Sequence, residues 1–230
     1  MNSFLIGLST LTATILLFFL TKKIYKKYPS PFTLPILTST WVIVVGLLIF
    51  DIPYETYMIG GQWLDHLLGP VVVALAYPLY RQWPLLKMYM VPILSGVIVG
   101  SFIGISTGFI AAKWLGFSDT IIYSITSKSV TTPVSMDIAN TIGGTTPLAA
   151  VFVMFAGIGG AVFGPSILKL SRVNLTIAKG VSMGTASHAI GTARSMENSE
   201  LEAAVSTVSL TISAVIVAMI TPTFVHVMMG

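Results

Sequence analysis

The chain has no cysteine, only eight acidic residues, and three scattered histidines, His66, His188 and His226, in 230 positions. The first absence excludes disulfides, thiolate metal sites and iron–sulfur clusters together. Three histidines so far apart make no metal-binding set, so neither a metal nor another cofactor is expected. Charge of both signs is scarce: Asp, Glu, Lys and Arg make up 9% of the chain, where soluble domains carry about 25%. Apolar residues fill the gap, at 54% of the sequence and a mean hydropathy of +0.89. Asn2 to Thr21, Phe32 to Phe50, Met88 to Ala112 and Ala203 to Met229 are free of Asp, Glu, Lys and Arg, and each approaches the ~20 residues that a spanning helix needs. The expectation is an all-α, polytopic membrane helix bundle over residues 1–230 with no separate soluble domain.

The first apolar segment has no positive charge before it and no small-residue cleavage pattern after it, so it reads as a retained span rather than a signal peptide. It runs into KKIYKK, Lys22 to Lys27, which holds four of the twelve cations. A cluster of that kind keeps a short loop in the cytoplasm, which makes a nucleic-acid partner unnecessary to explain the net charge of +4. The N-terminus is then expected on the outer side of the membrane. Asp51 to Asp65 carries acids without Lys or Arg and suits the outer side; Arg81 and Lys87, and later Lys169, Arg172 and Lys179, suit the inner side. To connect these loops, the region from Phe117 to Thr146 must cross twice or dip in and return, and neither half is long enough for a regular span. Discontinuous or re-entrant helices are the economical solution, and secondary transporters use them repeatedly. Seven to nine spans are compatible with the loops.

An offset of 63 residues pairs Pro70 with Pro133, Ala76 with Ala139, Pro84 with Pro147, Leu85 with Leu148 and Gly96 with Gly159. Both copies read as X-Pro, a short helix, Pro-Leu, then a glycine-spaced helix. This suggests an inverted repeat of residues 64–128 and 129–193 between N-terminal spans in 1–50 and a C-terminal span in 200–229. The small residues at Gly96, Gly100, Gly104 and Gly108, and at Ala156, Gly160 and Gly164, recur every fourth position. That spacing brings helix backbones close together, within one subunit or across a homodimer.

Polar chemistry concentrates in two tracts. KSVTTPVSMDIANTIGGTT, Lys128 to Thr146, carries a cation, an acid, an amide and many hydroxyls, groups that persist at membrane depth only where protein or water surrounds them. Thr131 and Thr132 precede Pro133, a combination suited to a capped helix start. Its free N–H groups and positive dipole end would favour an anion such as a carboxylate. Lys128 could add a full charge, and Asn140, Thr145 and Thr146 extend the polar lining. Asp137 is the only charged residue between Val130 and Leu168. It is either a structural ion pair with Lys128 or Arg194, or an acceptor for a coupling proton or sodium ion. The second tract, Gly184 to Ser195, offers Ser187, His188, Thr192 and Arg194 on a glycine-interrupted segment. His188 is either a hydrogen-bonded interior residue or a ligand group. Arg194 is either a cation balanced by Glu197, Glu200 and Glu202 or a fork for a carboxylate. A hydrolytic set of Ser187, His188 and Asp137 lacks a nucleophile elbow or metal motif, and no catalytic residue is expected.

The tracts KSVTTPVSMDIANTIGG and GVSMGTASHAIGTARSMENSELE, with LGPVVVALAYPLYRQ at Leu68 to Gln82, resemble the LrgB/CidB family of bacterial membrane proteins over nearly the whole chain. The resemblance implies one of two activities. One is carriage of small carboxylates of the pyruvate, glycolate, glycerate and lactate class, as in the related plastid glycolate/glycerate transporters. The other is antiholin-like or holin-like control of murein hydrolase activity and cell lysis, together with a small LrgA/CidA-type membrane partner. Broken helices and paired polar tracts favour the carrier, with Lys128, Thr131, Thr132, Pro133, Asn140, Thr145, Ser187, His188, Thr192 and Arg194 at the substrate and Asp137 at the coupling ion.

Overall fold

A computed structural model describes residues 3–30, 33, 35–67, 70, 80–81 and 83–229. Helices account for the regular structure among these residues, with no strand. The chain divides into two compact units, Met1–Val73 and Ala74–Gly230.

The first unit contains α1 (Ser3–Lys27), α2 (Pro35–Ile49) and α3 (Tyr54–Asp65). The α1 helix packs on both others. Its approach to α3 is close because Gly60 lies against the Gly7 carbonyl and the Thr10 side chain, where any Cβ would collide. Phe4 and Trp63 close that crossing with ring centroids 5.8 Å apart. The expected span over Phe32 to Phe50 forms a helix of only 15 residues, shorter than a regular crossing requires.

The second unit contains α4 (Trp83–Met88), α5 (Met90–Trp114), α6 (Asp119–Thr126), α7 (Thr132–Ile142), α8 (Thr146–Leu170), α9 (Thr176–Ser195) and α10 (Glu200–Met229). Among the described residues four helices, α1, α5, α8 and α10, are long and apolar enough to cross a membrane. The α10 helix is the hub, touching α5, α7 and α9. Ile93 and Val97 of α5 meet Val181 of α9 and Val205 and Val208 of α10 at one level, and Ile105, Val130, Ile138 and Val217 close the next.

The region from Phe117 to Thr146 folds as two short helices, α6 of eight residues and α7 of eleven. At 1.5 Å per residue they reach roughly 12 and 16 Å, about half of the ~30 Å hydrocarbon core. The α7 helix starts after extended Thr131, with Pro133 in its first turn, and stops at Gly143, whose φ of 89° favours a residue without Cβ. Gly144 N–H then bonds the Ala139 carbonyl at 2.7 Å. In α9 the break comes from a single residue: His188 has φ 41° and ψ −133°, which splits the helix into two arms.

Of the expected repeat, Pro147 sits in the first turn of α8, whereas Pro84 lies on the separate α4 ahead of the break at Tyr89. Most of the start of the first copy, residues 71–79, and most of the Leu68 to Gln82 motif lie outside the described residues.

Candidate functional site

The glycine face of α5 organises the polar groups of the second unit. A Cβ at Gly96 would meet Val181, at Gly100 the Thr185 methyl at 2.9 Å, at Gly104 the Ser129 hydroxyl at 3.0 Å, and at Gly108 the Lys128 Nζ at 2.7 Å. This ladder therefore packs within the chain, against α9 and the turn before α7. The small residues of α8 do the same: Gly157 faces His188, Gly160 faces Ser187 and Gly164 faces Met183. The two polar tracts thus converge along α5 through Lys128 and Ser129 on one side and Thr185 on the other.

Lys128 is half-buried, and its Nζ donates to the Gly104 carbonyl at 2.9 Å. Among the described residues no carboxylate pairs with it; the ion pair there joins Arg194 to Glu197. Lys128, Ser129, Thr107 and Thr185 line a cavity of about 1070 Å³ between α5 and α9, whose remaining wall is mostly apolar. Thr185 is 4% exposed, and its hydroxyl finds no hydrogen-bond partner. Sequence reasoning passed over Thr185. The available signal was the four-residue step from Val181 to Thr185, which matches the step from Gly96 to Gly100.

The other expected residues are placed as follows. Thr131 is the N-cap of α7, yet its hydroxyl makes no capping bond and is buried without a partner. Thr132 and Pro133 form the first turn and are half-buried. Asp137 and Asn140 are exposed within the chain, and among the described residues no ion pair joins Asp137 to Lys128 or Arg194. Thr145 opens α8, with its N–H bonded to the Ser124 hydroxyl at 2.8 Å.

In the second tract Ser187, His188 and Thr192 are all buried. His188 Nε2 lies 3.0 Å from the Val153 carbonyl of α8; the ring nitrogen that faces a carbonyl must carry the proton. Thr192 donates to the His188 carbonyl at 2.9 Å and shares a 2.7 Å hydroxyl contact with Ser206 of α10. Arg194 is engaged by Glu197, which is the balanced-cation alternative rather than a free fork. Glu202, at the start of α10, is 3% exposed and accepts from the Asn198 amide at 3.0 Å. Both α7 and α9 pack on α8 and α10, so the tracts share neighbours. The groups that line one cavity, however, are Lys128, Ser129 and Thr185, not Thr131 to Pro133 with Ser187 to Arg194. No group of three His, Cys, Asp or Glu side chains that could hold a metal occurs among the described residues.

The family model for LrgB-like proteins matches residues 14–227. The chain belongs to the LrgB-like family. It is 47% identical over 194 residues to the uncharacterized protein YxaC of Bacillus subtilis, covering 84% of each chain. It is 39% identical to YwbG of the same organism, covering 91% of this chain and 93% of the relative. The holin-like protein CidB of Staphylococcus aureus is 33% identical over 225 residues, 98% of each chain. No solved structure matches.

Proposed function

We propose that this LrgB-family chain is a holin-like protein of the bacterial cell membrane. In this reading it controls passage across the membrane, and through it murein hydrolase activity and lysis, with a small LrgA/CidA-type partner. The observation that carries this is the likeness to a holin-like relative over 98% of both chains, joined to four helices able to cross a bilayer. The test is controlled expression in a bacterial host, with and without a CidA-type partner, while membrane potential and lysis are followed. The expected result is a change in the onset of lysis that depends on the partner. Unchanged potential and lysis at confirmed membrane levels of the chain would overturn it.

A second reading is carriage of small carboxylates of the pyruvate, glycolate, glycerate and lactate class. The half-buried Lys128 at a cavity, beside short helices and the broken α9, favours it. Helix breaks and unpaired cations at membrane depth are costly unless they line a path. In this reading Asp137 takes the coupling proton or sodium ion, the repeats 64–128 and 129–193 lie inverted, the N-terminus is outside, and the chain works as a homodimer. Uptake of labelled pyruvate, glycolate or lactate by liposomes holding only this chain supports carriage; no uptake with intact, oriented protein sets it aside. Asp137→Asn should then abolish the pH or sodium dependence of that uptake.

A further inference from the structure

The cavity between α5 and α9 is poorly matched to a three-carbon acid. Its volume of about 1070 Å³ lies just above the ~300 to 1,000 Å³ typical of sites for drug-sized ligands. Its polar groups are also spread out. Lys128 abuts α5 at Gly108 and bonds the Gly104 carbonyl, whereas Thr185 abuts α5 at Gly100. One to two helical turns therefore separate them, roughly 6 to 12 Å. A small acid held at Lys128 leaves the Thr185 hydroxyl unpartnered, and a buried unpaired hydroxyl costs about 1 to 3 kcal/mol. Ile103, Val181 and Leu201 supply apolar wall around them.

We propose that this cavity binds an anionic amphiphile: a carboxylate or phosphate at Lys128, a second acceptor such as an ester or hydroxyl at Thr185, and an aliphatic body along the apolar wall. A long-chain organic acid and the headgroup and ester region of an anionic lipid both present that chemistry. The site stands apart from the holin-like reading, whose test is lysis.

The experiment is binding to the purified full chain, by native mass spectrometry and by titration in phosphatidylcholine nanodiscs. The probes are dodecanoate, dioleoyl phosphatidylglycerol, dodecanol and pyruvate. One anionic amphiphile should bind at one per chain, with dodecanol and pyruvate at least about tenfold weaker. Lys128→Met should weaken binding about tenfold or more, Thr185→Val a few-fold, and Lys128→Arg much less than Lys128→Met, because it keeps the charge. Ala186→Phe, which adds bulk at an exposed residue of the cavity wall, should weaken binding of the anionic amphiphile and keeps the test decisive if Lys128→Met fails to fold. Dodecanoate binding alone identifies a free acid as the source, and phosphatidylglycerol binding alone a lipid headgroup. Binding of neither anion, equal binding of dodecanol, or unchanged binding in folded Lys128→Met would overturn the site.

Discussion

Both units of this chain bond hydroxyls back onto their own helices, and they differ in how far hydroxyls also pair with one another between elements. In α1, Ser9, Thr10 and Thr12 donate to carbonyls three or four residues back on their own helix, and the longer-range contacts are Thr14 to Tyr57 and Thr21 to the Pro35 carbonyl. In the second unit, hydroxyls tie helices to one another: Ser101 to Ser213 at 3.0 Å, Thr192 to Ser206 at 2.7 Å, and Ser127 to Ser135 at 2.8 Å across the break before α7. Burial separates two extremes: within the chain, 11% of the apolar window of α1 is buried, against 56% of that of α10, with α8 at 17% and α5 at 33% between them. Back-bonded hydroxyls let a helix sit in lipid without partners, whereas bridging hydroxyls fix one helix against another. The difference teaches that α1 leaves most of its surface uncovered within the chain, while α10 is held by neighbours on several sides.

The sharpest way to break this comparison is to part α9 from α10. A Cβ at Gly184 runs into the backbone of Ser206, and backbone cannot step aside as a side chain can. Gly184→Val should cost at least about 3 kcal/mol or abolish folding, read as loss of a monodisperse peak and of cooperative thermal unfolding. Next in size is the strained break in α9. A non-glycine residue at φ 41° and ψ −133° stores about 1 to 3 kcal/mol. His188→Ala loses the bond to the Val153 carbonyl and keeps the strain, while His188→Gly loses the bond and relieves it. The glycine variant should therefore unfold at the higher temperature; an equal or reversed order would remove the strain argument.

Smaller effects compare single hydroxyls. Thr192→Val leaves the buried Ser206 hydroxyl without its interhelical partner and should cost about 1 kcal/mol. Thr12→Val, on the exposed face of α1, should stay within about 0.5 kcal/mol. Equal losses would erase the distinction between the units. Smallest of all is Gly46→Ala on α2, where nothing lies within 4 Å of the added Cβ; a gain of about 0.5 to 1 kcal/mol is expected from helix propensity.

Much of this was legible in the chain itself. Long uncharged stretches marked three of the four long helices, α1, α5 and α10, because apolar length is what a bilayer demands; α8 was not among them, and Phe32 to Phe50 gave a helix of only 15 residues. The prolines and glycines bounding 131–147 marked short helices, because they restrict or free the backbone locally. The break in α9 was legible only as a glycine-rich tract; that it falls at His188, and not at a glycine, is set by packing against α8. The role of Thr185 was not legible, since it depends on which face of α9 meets α5. Asp137 illustrates the same limit: its isolation in sequence says that it is unusual, while its exposure depends on how α7 turns against α8 and α10.

The central claim is that the second unit holds the working polar centre, with Lys128 at its focus, and that the basic loop of the first unit sets topology only. The most direct measurement is titration of the purified chain in phosphatidylcholine nanodiscs with dodecanoate and with dioleoyl phosphatidylglycerol, comparing Lys128→Met with Lys27→Met. The account predicts that Lys128→Met weakens binding of the anionic amphiphile by about tenfold or more and that Lys27→Met changes it by less than about twofold. Wild-type binding in the folded Lys128 variant, or an equal loss in both, would contradict it.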